Sequence, residues 1–225
     1  VKTAAIVPAF NEAGRIQAVI SVLEWVPFLN ETIVVDDGST DDTFSCIHAV
    51  NGIRAVRLAR NVGKGGALAA GVRQTDAEIL VFLDADLVGL RPDHVRQIFE
   101  PVRSRELDMC VGIVQGGRTA WTDNWQRWVP AISGQRVMRR EVFLGAPGLE
   151  RTRFGVEVSL SRYARLKGLK VGRVTLRGVT HVIKEEKLGA VRGFLARLMM
   201  YGDMARCLAA VPVEDGSKER RRCQM

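Results

Sequence analysis

Short apolar runs alternate with stretches of helical periodicity through the first half of the chain. TAAIVPAF reads as a strand, after which Ile16, Val19, Ile20 and Leu23 repeat at the i, i+3, i+4, i+7 spacing of a helix buried on one face. TIVVDD is a second strand, and in the DGSTDDT segment Ser39, Thr40 or Asp41 is the expected N-cap of a helix carrying Phe44 and Ile47. IRAVRLA is a third strand, NVGKGG leads into a helix expected over Gly66 to Gln74, and EILVFLD is a fourth strand. Runs this apolar suit strands covered on both faces, so the pattern predicts an α/β fold, a parallel sheet flanked by helices.

The second half is less regular. LDMCVGIV reads as strand, WTDNWQRWV as a short helix or loop, and SGQRVMRREVFLGA as strand then helix. FGVEVSLSRYARLKG is a helix closed by Gly168, and KVGRVTLRGVTHVI is a strand or a pair of strands. Leu188 to Val211 is expected to be helical, and the charged tail from Glu214 is expected to lack order. There is no internal repeat and no Pro/Ser-rich linker.

Composition narrows the class. A chain of 225 residues, 47% hydrophobic and 26% charged, is long enough for one sizeable core. The net charge of +8 suggests an anionic partner, which nucleic acid, a phosphorylated small molecule or an anionic membrane surface would each satisfy, and it equally suits a solvated basic surface with a charged tail. Cys46, Cys110, Cys207 and Cys223 lie far apart, without CxxC or zinc spacing, which points away from a disulfide framework and towards a reducing cytoplasm. No run reaches the roughly 18 apolar residues of a membrane span. VKTAAIVPAF leads directly into a strand, so no signal peptide is expected.

The polar residues gather at the strand ends. Strand one ends in Pro8, Asn11 and Glu12, strand two in Asp36, Asp37, Gly38 and Ser39, strand three in Asn61, Gly63, Lys64 and Gly65, and strand four in Asp84 and Asp86. In open α/β sheets that edge is where ligands bind. Asp84 and Asp86 stand at i and i+2, so on an extended segment both side chains project to the same side, about 7 Å apart at Cα. Carboxylates held that close repel unless a cation lies beside them, and hard oxygen ligands suit Mg²⁺ or Mn²⁺ bridging to substrate phosphates. An acid/base dyad sharing a proton is the alternative, but it leaves Lys64 and the other strand ends unexplained. NVGKGGA is neither GxxxxGK[ST] nor GxGxxG, which removes the main support for a P-loop kinase or a dinucleotide dehydrogenase. What remains is a Gly-Lys-Gly turn able to bring one cation and backbone N–H groups near a phosphate.

Taken in order, IVPAFNE, VVDDGSTDDT, RNVGKGGAL and VFLDAD resemble the nucleotide-sugar-binding half of glycosyltransferase family 2, enzymes of the GT-A fold, over residues 3 to 90. The resemblance implies a mostly parallel central sheet, one GT-A domain over residues 1–213 (donor half 1–90, acceptor half 91–213) and a basic tail over 214–225. It implies that Pro8, Phe10 and Glu12 line the base and ribose pocket, that Asp37 contacts base or ribose, and that Lys64 faces base or diphosphate. Asp84 and Asp86 would form the family's DxD motif, with Asp86 the direct ligand of Mg²⁺ or Mn²⁺. His181 resembles the C-terminal histidine that completes the metal shell in some members.

SGQRVMRRE resembles the SGxR segment of members that glycosylate a phosphorylated acceptor, among them polyprenyl-phosphate glycosyltransferases and glucosyl-3-phosphoglycerate synthases. Ser133, Gly134 and Arg136 are therefore expected on the acceptor side, with Arg118, Arg139 and Arg140 as further candidates to grip a phosphate, although a strand alternates faces and not all can point inward. FGVEVSL takes the place of the family's Gly-x-Glu segment, which makes Glu157 the candidate base. A hydroxyl acceptor needs such a base; a phosphate acceptor is already an oxyanion and needs only arginines to position it.

Two features lean towards lipid. Trp121, Trp125 and Trp128 fall at i, i+4, i+7, one aromatic face if helical, and Leu188 to Val211 is an apolar stretch carrying Arg192, Arg197 and Arg206. The first also suits a lid over the sugar, and the second also suits packing on its own domain or on a second subunit. The expectation is an inverting hexosyltransferase, cytoplasmic or peripheral on the inner face of the membrane, acting on a nucleotide sugar and polyprenyl phosphate. The alternatives are a small soluble phosphorylated acceptor such as 3-phosphoglycerate, or a nucleotide-sugar-binding protein without turnover. A nucleic-acid module lacks a recognition motif and leaves the paired aspartates without a purpose.

Overall fold

The computed structural model describes residues 1–115, 133–153 and 155–181. Strands β1 (Thr3–Ala9), β2 (Glu31–Asp36), β3 (Ile53–Arg57), β4 (Ile79–Phe82), β6 (Met109–Gln115), β7 (Arg136–Arg139) and β8 (Val171–Arg177) form a seven-stranded sheet in the order β3-β2-β1-β4-β7-β6-β8. Strands β5 (Leu87–Val88) and β9 (Thr180–His181) form a separate antiparallel pair. The period-two pattern separates the two faces of the sheet. In β1, Ala5, Val7 and Ala9 pack into one core cluster while Ala4 and Ile6 pack into the other; in β4, Ile79 and Val81 oppose Leu80 and Phe82.

Helices α1 (Ile16–Leu23) and α4 (Pro92–Arg103) cover the first face, and α3 (Lys64–Val72), α5 (Arg140–Gly145) and α6 (Val156–Leu166) the second. The buried residues of α1 are Ile16, Val19, Ile20 and Leu23, the stripe the spacing predicts. Burying one such side chain is worth about 1.5–3 kcal/mol.

Some expectations shift. Helix α2 (Thr43–His48) starts after Asp42, not Ser39, Thr40 or Asp41, and Phe44 is only half-buried, its ring lying under the Arg57 guanidinium at 5.0 Å. Helix α3 starts at Lys64, two residues earlier than the pattern suggests, because every residue from Gly65 to Val72 is buried and small side chains carry little periodic signal. Strand β3 is the sheet edge and only half-covered. Helix α4 was not expected: Pro101 inside it masks an amphipathic stretch that opens with Pro92 at its first turn.

The direction of β7 positions the site. Strands β1 to β4 are mutually parallel, so their carboxyl ends share one edge of the sheet. Strand β7 runs antiparallel to β4, with Phe82 opposite Arg136 and Ile79 opposite Arg139. The residues that enter β7, Ser133 to Gln135, are therefore delivered to the edge where β4 releases Asp84. Among the described residues no helix is long and apolar enough to cross a membrane. Arg118, Trp121, Trp125, Trp128, the Leu188–Val211 stretch and the basic tail lie outside the described residues.

Candidate active site

Beyond Phe82 the chain leaves the sheet, and Ala85 and Asp86 form a turn rather than the extended strand the i, i+2 reading assumed. The turn still brings the carboxylates together. Ligand atoms of Asp84, Asp86 and His181 lie within 4.8 Å of one another. His181 arrives through the β5–β9 pairing, in which it stands opposite Leu87, and its Nδ1 is 3.1 Å from Asp86 Oδ1. Burial works to lower the His181 pKa, but the hydrogen bond to Asp86 and the charges of Asp84 and Asp86 outweigh it, leaving the imidazole above its ordinary value.

Lys64 is the counter-charge of this cluster. From the first position of α3 its ammonium reaches Asp84 Oδ1 and Glu157 Oε1, each at 2.5 Å. Burial opposes its charge, but the two carboxylates more than offset that and hold Lys64 above the usual lysine range. Asp84 moves the opposite way: burial pushes it up, Lys64 and His181 pull it down, and it ends below the ordinary aspartate value. Glu157 is buried in the first turn of α6.

The Gly-Lys-Gly turn does not present backbone donors to a phosphate. The N–H groups of Val62 and Gly63 donate to Asp37 at 2.8 and 2.9 Å, and those of Lys64 and Gly65 donate to the carbonyls of Arg153 and Thr152, both at 3.0 Å. Its glycines serve close approach instead. Gly63 sits at φ +90°, and a Cβ there would meet the backbone of Arg153. The turn thus delivers one cation, the Lys64 ammonium.

Asp37 itself is buried and clamps this loop with both oxygens, and burial raises its pKa. Pro8 lies within β1, Phe10 is exposed just beyond it, and Glu12 is nearly buried, 3.5 Å from Arg15 Nη1. Asn11 and Ser39, placed at strand ends by the sequence, lace the two loops together: the Asn11 N–H donates to Ser39 Oγ at 2.9 Å, and Asn11 Oδ1 accepts from the Thr40 N–H at 2.9 Å. Beside them a cleft of about 420 Å³ is lined by Gly38, Ser39, Arg57, Leu58 and Ala59. It opens at the carboxyl ends of β2 and β3, and none of Asp84, Asp86 and His181 lines it.

The described arginines expected to grip a phosphate, Arg136, Arg139 and Arg140, do not gather there. Arg139 and Arg140 follow from the antiparallel register: four residues of β7 carry the chain to the far end of the sheet, where Arg139 bonds the Val102 carbonyl and Arg140 bonds those of Val72 and Thr75. Arg136 is on the correct edge but 1% exposed, its guanidinium donating to the Ser133 carbonyl at 2.8 Å and to Ser161 Oγ at 3.0 Å. Burial lowers its pKa to about 10, against the pull of Glu157 and Asp84. Arg136 therefore braces the site from beneath. Ser133 and Gly134 do reach it: a Cβ on Gly134 would run into the Asp84 carboxylate and the Lys64 ammonium. Gln135, which the sequence reading left without a role, donates from Nε2 to Asp84 Oδ2 at 2.8 Å.

This arrangement agrees with comparison to known proteins. The family model described as glycosyl transferase family 2 matches residues 4–162. The chain belongs to glycosyltransferase family 2. Among curated family relatives, the undecaprenyl-phosphate 4-deoxy-4-formamido-L-arabinose transferase of Sodalis glossinidius is 30% identical over 129 residues, 53% of this chain and 39% of its own. The glucosyl-3-phosphoglycerate synthase of Mycobacterium tuberculosis is 34% identical over 111 residues, 45% of this chain and 34% of its own. A crystal structure of the latter enzyme with Mn²⁺, UDP-glucose and phosphoglyceric acid superposes with a TM-score of 0.67 at 25% identity, covering 95% of this chain and 81% of that one. The GT-A fold expected of a family 2 member is thereby established. The chain spans well under half the length of these curated relatives, 39% and 34%.

Proposed function

We propose that the protein transfers a hexose from a nucleotide sugar to a phosphorylated acceptor in a metal-dependent, inverting reaction. The observation that carries this is the Asp84–Asp86–His181 cluster at the carboxyl end of β4, with the Lys64 ammonium directly behind it. Two carboxylates and one imidazole, each only partly buried, fit Mn²⁺ or Mg²⁺, ions that bridge to substrate phosphates. The solved relative with Mn²⁺ and UDP-glucose supports the same reading. Asp86 and His181 would hold the metal directly, Asp84 would complete the site, and when bound the ion supplies charge stabilisation to the departing diphosphate.

The chain's own residues do the rest. Pro8, Phe10, Glu12 and Asp37 frame the nucleoside end, Asp37 by fixing the 62–65 turn. Lys64 supplies a cation close to where the diphosphate departs. The acceptor oxygen attacks the anomeric carbon as the bond to the diphosphate oxygen breaks, giving an inverted glycoside and free nucleoside diphosphate.

For the acceptor we favour polyprenyl phosphate, whose phosphate oxygen is the nucleophile and needs no base. Glu157 Oε1 already accepts from Lys64 at 2.5 Å, which suits charge balance better than proton abstraction. The undecaprenyl-phosphate relative supports this reading, and peripheral contact with an anionic membrane would accompany it. The second reading is a small soluble acceptor such as 3-phosphoglycerate, favoured by likeness to the synthase over 95% of this chain. Offering radiolabelled donor to both acceptors and partitioning the products decides between them. Label in the organic phase supports polyprenyl phosphate, and label confined to a water-soluble phosphorylated product overturns it.

A further inference from the structure

Both oxygens of Asp84 are held by protein donors, one charged and one neutral. Lys64 takes Oδ1, and the side-chain amide of Gln135 takes Oδ2 at 2.8 Å. Gln135 is fully buried and anchored at its other atoms as well. Its Oε1 lies 2.8 Å from Ser133 Oγ, and its backbone carbonyl accepts the Gly112 N–H at 2.8 Å. The single proton of the Ser133 hydroxyl is shared between Gln135 Oε1 and the Gly112 carbonyl. Only an amide nitrogen can donate to a carboxylate, so the orientation of the Gln135 amide is unambiguous.

We propose that Gln135 is a positioning residue for Asp84: it fixes the rotation of that carboxylate, so that the lone pairs not used by Lys64 and Gln135 face Asp86 and His181. The inference rests on the metal-site reading above and deepens it. A carboxylate offers about four lone-pair sites. With one taken on each oxygen, the plane of the group is set and the remaining pairs have fixed directions. Lys64 alone does not do this, because an ammonium on a flexible stem is a point charge without preferred geometry. The neutrality of the amide matters equally: an arginine or lysine in its place would stop Asp84 rotating but add a second positive charge beside Lys64, against the incoming cation. Partners of this kind, one shell out from a metal, commonly change affinity by about 10–100-fold when removed.

The test is Mn²⁺ titration of the full chain without nucleotide, followed by the electron paramagnetic resonance of free and bound Mn²⁺, with thermal unfolding of the metal-free protein measured alongside. Gln135→Met keeps length and volume but removes the donor. The expected result is a Kd for Mn²⁺ raised by about tenfold, with a changed line shape for bound Mn²⁺. A Kd within about twofold of wild type and an unaltered line shape overturn the proposal, whatever happens to the unfolding temperature, because packing alone would move only the latter. Should Gln135→Met fail to fold, Ser133→Ala leaves the amide in place without its anchor, and about threefold weaker Mn²⁺ binding is expected; unchanged binding there overturns the proposal as well. Wild-type protein that takes up no Mn²⁺ would instead sink the metal-site reading, and this inference with it.

Discussion

Lys64 and Glu157 meet at 2.5 Å, the first residue of α3 against the first turn of α6, and the contact ties the donor half of the chain to the half expected to hold the acceptor. Because the same ammonium also neutralises Asp84, its removal leaves two carboxylates facing each other in a largely buried space. Lys64→Met is expected to destabilise the protein by about 3 kcal/mol. Adding Glu157→Gln should restore part of that loss, a non-additivity that urea unfolding of the single and double variants will measure.

The pH dependence of that effect follows from the two shifts. Asp84 is lowered, so its contribution is present above its ordinary value of 3.8 and is lost as pH falls through the lowered value. Lys64 is raised, so its contribution is complete below its ordinary value of 10.5 and disappears only as pH climbs through the higher folded value. The pair's contribution in the wild type should therefore stay level from about pH 5 to about pH 9, whereas in Lys64→Met the two facing carboxylates are free to take up a proton, so the stability gap should be widest in the upper part of that range and narrow as pH falls. A gap that widens as pH falls would contradict the ion-pair account.

Asp86→Ala removes the carboxylate of the metal cluster that meets His181 Nδ1 at 3.1 Å. Turnover is expected to fall by about a thousandfold, equivalent to about 4 kcal/mol of lost stabilisation of the leaving diphosphate. Calorimetric Mn²⁺ titration of the folded variant should show binding lost in parallel.

Glu157→Gln separates the acceptor readings. With polyprenyl phosphate, kcat should stay within about tenfold of wild type, because no proton has to be removed. A loss of several hundredfold, in the range general bases supply, would make the acceptor a hydroxyl.

Arg140→Ala tests whether this side chain braces the far end of the sheet or grips the acceptor phosphate. Its hydrogen bonds to the Val72 and Thr75 carbonyls lie at the far end of the sheet, so the variant should lose about 1.5–3 kcal/mol of stability while KM for the acceptor is unchanged. A rise in KM of tenfold or more would return Arg140 to the acceptor site.

Much of this was legible in the sequence because strand ends are short, polar and ordered along the chain. The Ile16–Leu23 stripe, the four parallel strands and the carboxylate pair follow from local pattern alone. Arg139 and Arg140 were misplaced because their location depends on which way β7 runs, a property of the sheet and not of SGQRVMRRE. Gln135 was overlooked for the same reason, since only the antiparallel entry of β7 beside Asp84 gives its amide a purpose. The glycines of NVGKGG suggested a phosphate cradle, yet their partners are carbonyls and side chains of residues 149–153, too distant in sequence for a motif to reveal.

Gly134→Ala follows from the same packing. The added methyl would run into the Asp84 carboxylate and the Lys64 ammonium, so one of them must move. An overpacking penalty of about 1–3 kcal/mol is expected in thermal unfolding, together with weaker Mn²⁺ binding. Undiminished Mn²⁺ affinity would mean that the loop, not the site, absorbs the strain.

The most direct test of the central claim is release of nucleoside diphosphate from UDP-glucose and GDP-mannose in the presence of polyprenyl phosphate or 3-phosphoglycerate, with Mn²⁺ or with excess EDTA. Acceptor-dependent release that requires the metal and vanishes in Asp86→Ala is the result the account predicts. Release that persists undiminished in EDTA, or in Asp86→Ala, would contradict it.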